Sequence, residues 1–223
     1  MGTDTTLYSV VVQIPRLGFR DTTFVRGSGN FRRAVIGEGG PVLGSRAMMY
    51  DVTKGLDPNF PGTALPLPVP VVDRGISRPV DVSDYIANSF ARIGGAAINF
   101  DGELAALRGD STFIVDATLR LQGILQTSGG NPGFDFHPLN AGIGPATSPA
   151  GTRLGFAAST QPQIEVYDTY TYRRCLVIPT RDPIIGPIKS AVRSGGSDVV
   201  LVGATAHGVV IVTVTQAQLT GCT

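Results

Sequence analysis

Along most of the chain, apolar and polar residues alternate, or apolar residues run together as β-branched stretches. This pattern predicts strands far more often than helices. Segments 7–14 (LYSVVVQI), 19–26 (FRDTTFVR) and 31–36 (FRRAVI) read as strands, the last two joined by the turn cluster Gly27-Ser28-Gly29-Asn30. Segment 46–53 is a further strand after a glycine-rich loop. In 112–121 (TFIVDATLRL), Phe113, Val115, Ala117, Leu119 and Leu121 alternate with Thr112, Asp116, Thr118 and Arg120, which predicts one half-buried strand with a wet face. Segments 163–172 (QIEVYDTYTY) and 174–178 (RCLVI) follow as strands. Residues 184–193 fit either state, and 198–203 with 208–215 form a closing pair about the turn 204–207.

Helical spacing is rare. In 82–93 (VSDYIANSFARI), Ile86, Phe90 and Ile93 fall on one face, Asp81 or Ser83 can cap the start, and Gly94-Gly95 ends it. A second short helix is predicted over 101–108 (DGELAALR). Two segments lack a period. Residues 57–80 carry Pro66, Pro68 and Pro70 at every second position. Such a strand keeps its donors on one side and refuses a partner on the other. A polyproline linker is the other reading. Residues 127–153, rich in Gly and Pro, form one long irregular segment. No internal repeat is visible. The result is a single mainly β domain over 1–223. It is expected to be a β-sandwich or barrel, jelly roll included, with one or two short helices and extended arms at 57–80 and 127–153.

Composition narrows the function. Charged residues make up only 16% and the net charge is +1, so no global field holds a polyanion. The charge is uneven: six Arg against Asp4, Asp21 and Glu38 give +3 over residues 1–50, and five basic against eight acidic residues give −3 over 51–110. Such blocks suit contacts between neighbouring copies. There are 16 Arg and two Lys, and Arg tolerates interfaces better because it is less strongly hydrated. No apolar run reaches membrane-span length, and no charged leader followed by an apolar stretch opens the sequence. The expectation is therefore synthesis in the cytoplasm without a signal peptide.

Catalytic motifs are sparse. Gly37-Glu38-Gly39-Gly40 lacks the Gly-Lys-Ser/Thr of a phosphate loop, and there is no Gly-x-Ser-x-Gly elbow. Cys175 stands in an apolar run and reads as an inert buried thiol, while Cys222 lies next to the end. Asp135 and His137 offer two metal ligands without a third nearby, and Asp101, Glu103 and Asp110 miss the calcium-loop spacing. No cofactor and no metal are expected.

Tyr167, Tyr170 and Tyr172 with Arg173 and Arg174 form the richest cluster. On one strand, Tyr170, Tyr172 and Arg174 would share a face opposite Tyr167 and Arg173. Aromatics beside Arg suit a protein interface, or stacking on bases and sugars. Arg32, Arg33, Phe134, Phe136 and His137 complete the interface or ligand candidates. Few charges, many glycines and Gly/Pro arms suit a chain covered by its own copies. The expected function is a non-enzymatic, self-assembling structural subunit of a virion shell or tail. Its partners would be copies of itself and other virion proteins, with no membrane. The alternative is a carbohydrate- or nucleic-acid-binding module built on Tyr167, Tyr170, Tyr172 and the 127–153 loop.

Overall fold

A computed structural model describes residues 23–30, 32–38, 46–51, 80–81, 95–109, 111–144, 146–149 and 151–222. The strand expected at 7–14, the helix expected at 82–93 and all of the proline-rich run except Val80 lie outside the described residues.

The described chain is mainly β, in four antiparallel sheets. The first holds β1 (Thr23–Gly27), β2 (Arg33–Glu38), β3 (Arg46–Asp51) and β4 (Val80–Asp81). The second holds β5 (Gly95–Ile98), β6 (Leu104–Arg108), β7 (Thr112–Asp116) and β8 (Leu121–Leu125). The third holds β9 (Phe134–Phe136), β10 (Leu154–Ala158), β11 (Gln163–Asp168) and β12 (Arg174–Pro179). The fourth holds β13 (Ile184–Val192), β14 (Val199–Thr205) and β15 (Gly208–Val214), and α1 (Gln216–Thr220) follows it. Each sheet is a simple up-and-down meander whose strands pair in chain order.

The sheets stack in chain order, face on face, as the sandwich expectation requires. Their first strands run in series: β1 packs on β5, β5 on β9, and β9 on β13. Successive meanders arranged about a line of first strands have the layout of propeller blades. The repeat is structural only, since the four units share no visible sequence motif.

Side-chain alternation creates the layers. Between the first and second sheets lie Val35, Met49, Ala105, Leu107, Phe113 and Val115. From β6 and β7, Leu104, Ala106 and Ile114 point the other way and meet Phe134, Phe136, Ala157 and Tyr167 of the third sheet. From β10, Leu154, Phe156 and Ala158 meet Ile184, Ile188, Val199 and Leu201 of the fourth. The inner strands β6 and β10 are therefore apolar on both faces, and they read as unbroken apolar runs rather than alternations.

That double burial explains the departures from expectation. Residues 101–108 are not a helix: Asn99 to Glu103 turn, with Gly102 at φ +78°, and 104–108 form strand β6. The Asn99 side chain accepts from the Leu104 amide at 3.0 Å and closes the turn. Leu-Ala-Ala-Leu favours a helix locally, but pairing with β5 and β7 between two sheets overrides that preference. Residues 112–121 are two strands. The chain turns after Asp116, whose Oδ1 accepts from the amides of Thr118 (2.8 Å) and Arg120 (3.0 Å). Leu119 takes φ 62° and still buries its side chain, so the apolar alternation passes unbroken through the turn. Neither face of β7 is wet: Thr112 is buried, and its hydroxyl accepts from Asn131 Nδ2.

Residues 127–153 are no free arm. They contain β9, the first strand of the third sheet, and Asn131, Asn140, Gly151 and Thr152 are buried. Residues 163–172 are likewise not one strand, because β11 ends at Asp168 and Tyr172 turns the chain at φ 60°. Residues 184–193 resolve as β13, with a bulge around Gly186-Pro187. The strands β5, β8 and β10 and the capped turn of helix α1, with Thr215 and Gln218 in a reciprocal capping box, are further elements that the pattern did not predict.

Candidate functional site

The tyrosine cluster divides. Tyr167 is buried between the second and third sheets. Its hydroxyl donates to the carboxylate of Glu165 at 2.6 Å and also lies 2.7 Å from the Gln126 carbonyl. Tyr172 lies over the backbone of Gly123, where a Cβ would collide with its ring. Only Tyr170 stands well out into solvent. The three phenols therefore present no common stacking face, because the turn at 169–172 splits the strand that would have aligned them.

Arg174 is drawn onto Glu165, 3.2 Å away. The Glu165 side chain is fully buried. Ser128 N, Gln163 Nε2 and Tyr167 Oη also donate to it. Burial alone would raise its pKa, but the bonds from Tyr167, Ser128 and Gln163 outweigh that and hold it below the usual carboxylate value. Burial, then the Glu165 hydrogen bond, push the Tyr167 phenol up. The group is a sealed carboxylate that ties the 127–130 turn to β11 and β12. Arg173 is exposed beside it.

The loop candidates are also internal. Phe134 and Phe136 pack edge to face at 5.1 Å inside the layer between the second and third sheets. His137 is 2% exposed, and its Nδ1 accepts from the Leu139 amide at 3.1 Å. Burial pushes its pKa down to about 4, so it is neutral. Asp135 Oδ2 accepts from Ser190 N (2.8 Å) and Ser190 Oγ (3.0 Å), and its Oδ1 faces Lys189 Nζ at 3.3 Å. Asp135 thus joins β9 to β13 and does not pair with His137. Arg33 bonds Glu103 and the Gly102 carbonyl, linking the first two sheets, whereas Arg32 is exposed. Asp101 accepts from Glu103 N (3.1 Å) and Gly142 N (2.6 Å). Asp110 lies outside the described residues, among which no three His, Cys, Asp or Glu side chains group as a metal site.

The cysteines overturn their expectation. Cys175 is exposed and forms a disulfide with Cys222, which is 6% exposed and 47 residues on. The bridge ties the end of α1 to the edge strand β12. Sequence alone placed neither partner near the other.

Two surfaces went unnoticed in the sequence. One is the outer face of the fourth sheet. Ile185 (61% exposed), Val202, Val209 and Ile211 (68%) stand on it, and Val202 opposes Ile211 while Ala204 opposes Val209. A groove beside it is rimmed by Arg181, Asp182 and His207, with His207 Nδ1 3.3 Å from Asp182. The usable sequence signal was that 208–214 (GVVIVTV) is apolar on both faces.

The other is a cavity of about 230 Å³ where all four sheets meet, lined by Arg26, Gly95, Arg108, Gly133, Phe134 and Lys189 among others. Residues so far apart in sequence give no local pattern.

No protein-family model and no curated protein matches the chain. Among solved structures it is similar to hydrazine synthase of Kuenenia stuttgartiensis, at 13% identity and a TM-score of 0.53, over 87% of this chain and 46% of that one. It is also similar to BBS1N in its complex with ARL6DN, at 11% identity and a TM-score of 0.51, over 86% of this chain and 50% of that one. The chain thus spans about half the length of either, and likeness at these identities establishes the stacked β fold alone.

Proposed function

We propose that this chain is a non-enzymatic structural subunit that assembles with copies of itself, as a component of a virion shell or tail. The observation that carries the reading is the outer face of the fourth sheet. Three times along the molecule an apolar sheet face is covered by the next sheet. The fourth such face carries Ile185, Val202, Val209 and Ile211 into solvent, with Arg181, Asp182 and His207 at its edge. An apolar centre with a polar rim is the anatomy of a protein interface. The occupant that continues the series is a second copy of this chain. The 127–153 segment is partly folded in as β9, and its exposed Leu139 and Ile143 leave it able to add loop contacts between copies to those of the sheet face.

Four features support the non-enzymatic and particle readings. Both thiols are held in the disulfide and so supply no nucleophile. His137 is buried and already bonded, while His207 contacts Asp182 in an exposed turn. Disulfides persist on virion surfaces and in other oxidising surroundings. Among the described residues, no helix is long and apolar enough to cross a membrane.

Light scattering coupled to gel filtration, with negative-stain imaging of the same fractions, tests the reading. Regular particles, rings or tubes are the expected outcome. A stable monomer at micromolar concentration contradicts it.

A further inference from the structure

A sheet edge that is long, uncharged and regular is a template for another strand, and proteins blunt such edges. Among the described residues, the last strands of the first three sheets are blunted. β4 is two residues long and carries Asp81. β8 pairs with β7 across a register shift at Ile114 to Val115, and the Tyr172 ring lies over its Gly123 backbone. β12 carries Arg174 and Pro179, pairs with β11 across a register shift at Val166 to Tyr167, and is tied at Cys175 to Cys222. β15 has none of these devices. Its seven residues, GVVIVTV, hold no charge and no proline. It pairs with β14 in unbroken register from Gly208 to Val214 and, among the described residues, with no other strand. The fourth sheet accordingly has three strands where each of the others has four. Its lysine, Lys189, stands on β13 at the opposite edge.

The hairpin turn sets which backbone groups are open. Thr205 and Gly208 flank the two-residue turn Ala206-His207 and so form a bonded pair. Bonded pairs then recur at every second position, at Val210, Val212 and Val214 of β15. Val209, Ile211 and Thr213 therefore turn their N–H and C=O groups out of the sheet, and their side chains are exposed.

We infer that β15 is a strand-pairing edge whose occupant is β15 of a second copy, antiparallel to it. The inference rests on the reading that copies associate, and it names the backbone contact that joins them. A two-fold axis at Ile211 sets Val209 of each copy against Thr213 of the other, so the open groups of all three residues meet partners. Neither strand brings a charge to the junction. Two three-stranded sheets become one of six strands. Their outer faces, with Val202, Val209 and Ile211, join into one apolar surface continuous with the face already assigned to contact between copies. An extended assembly needs more than one contact per copy, and the edge and the face supply two.

Amide-resolved hydrogen exchange of the full chain tests it, at one concentration where sedimentation shows monomer and at another where it shows association. In the monomer, the amides of Val209, Ile211 and Thr213 should exchange fast while those of Val210 and Val212 are protected. On association the three fast amides should slow by about tenfold or more. Thr213→Pro removes one outward donor and leaves the β14 ladder intact, so it should weaken association by about tenfold, whereas Thr213→Val should not. Circular dichroism checks that both variants fold, and exchange in the native chain decides the matter if the proline variant does not. Unchanged exchange of the three amides in associated protein, or full association of a folded Thr213→Pro protein, would overturn the edge contact and leave association through the outer face standing. Protection already present in the monomer would mean that the edge is filled within the chain, and would overturn it too. No association at any concentration would overturn both readings.

Discussion

The third and fourth sheets differ in one decisive way. In the third, Phe156 and its neighbours on one face meet the fourth sheet, while Ala157, Phe134 and Tyr167 on the other meet the second. In the fourth, Ile184, Ile188, Val199 and Leu201 are covered, but Ile185, Val202, Val209 and Ile211 are not. Both sheets have apolar residues on both faces, so their sequences call for the same two-sided burial. The chain satisfies that call for one sheet and leaves it open in the other. Under the proposed assembly, the difference places the contact on this face: a sheet built like an interior layer but ending the described stack would meet another molecule there.

Substitutions on the two faces should separate this cleanly. Phe156→Ala, inside the covered layer, should cost about 3–5 kcal/mol by urea denaturation, the range for a buried aromatic. Reducing the disulfide, or making Cys175→Ser with Cys222→Ser, should cost roughly 2–4 kcal/mol, because a loop of 47 residues regains its freedom in the unfolded chain. Acid should weaken the third sheet. His137 stays neutral down to about pH 4 in the folded chain, whereas the unfolded histidine takes up its proton near 6.5. The unfolded state therefore binds the extra proton in that interval. Stability should be full above pH 6.5 and fall by up to about 3 kcal/mol toward pH 4. His137→Asn should flatten the upper part of that decline, before the carboxylates titrate. The smallest effect belongs to the open face. Ile211→Ala should change monomer stability by no more than about 0.5 kcal/mol, measured below the concentration at which copies associate. A loss as large as that of Phe156→Ala would mean the face is covered within the chain itself.

The β class and the final hairpin were legible because β-branched runs such as 198–203 and 208–215 admit little else. The interior strands were not. Leu104 to Leu107 and Leu154 to Ala158 are buried on both faces, so the period that distinguishes strand from helix disappears. Turns were hidden where a residue entered the left-handed region yet kept an apolar or aromatic side chain in register. Leu119 and Tyr172 both did so. The tyrosine cluster looked like a site because it was counted on one straight strand. The bond between Cys175 and Cys222, and the cavity shared by Arg26, Arg108 and Lys189, join positions far apart in sequence that only the folded chain brings together. Glu165 carried a weak clue, as one of only three Glu in the chain and set between Ile164 and Val166.

Sedimentation velocity of the native chain and of Ile211→Lys over a range of concentrations tests the central claim most directly. The account predicts that native protein associates as concentration rises, while the variant stays monomeric with unchanged circular dichroism. Identical sedimentation of the two, whether both associate or neither does, would contradict it.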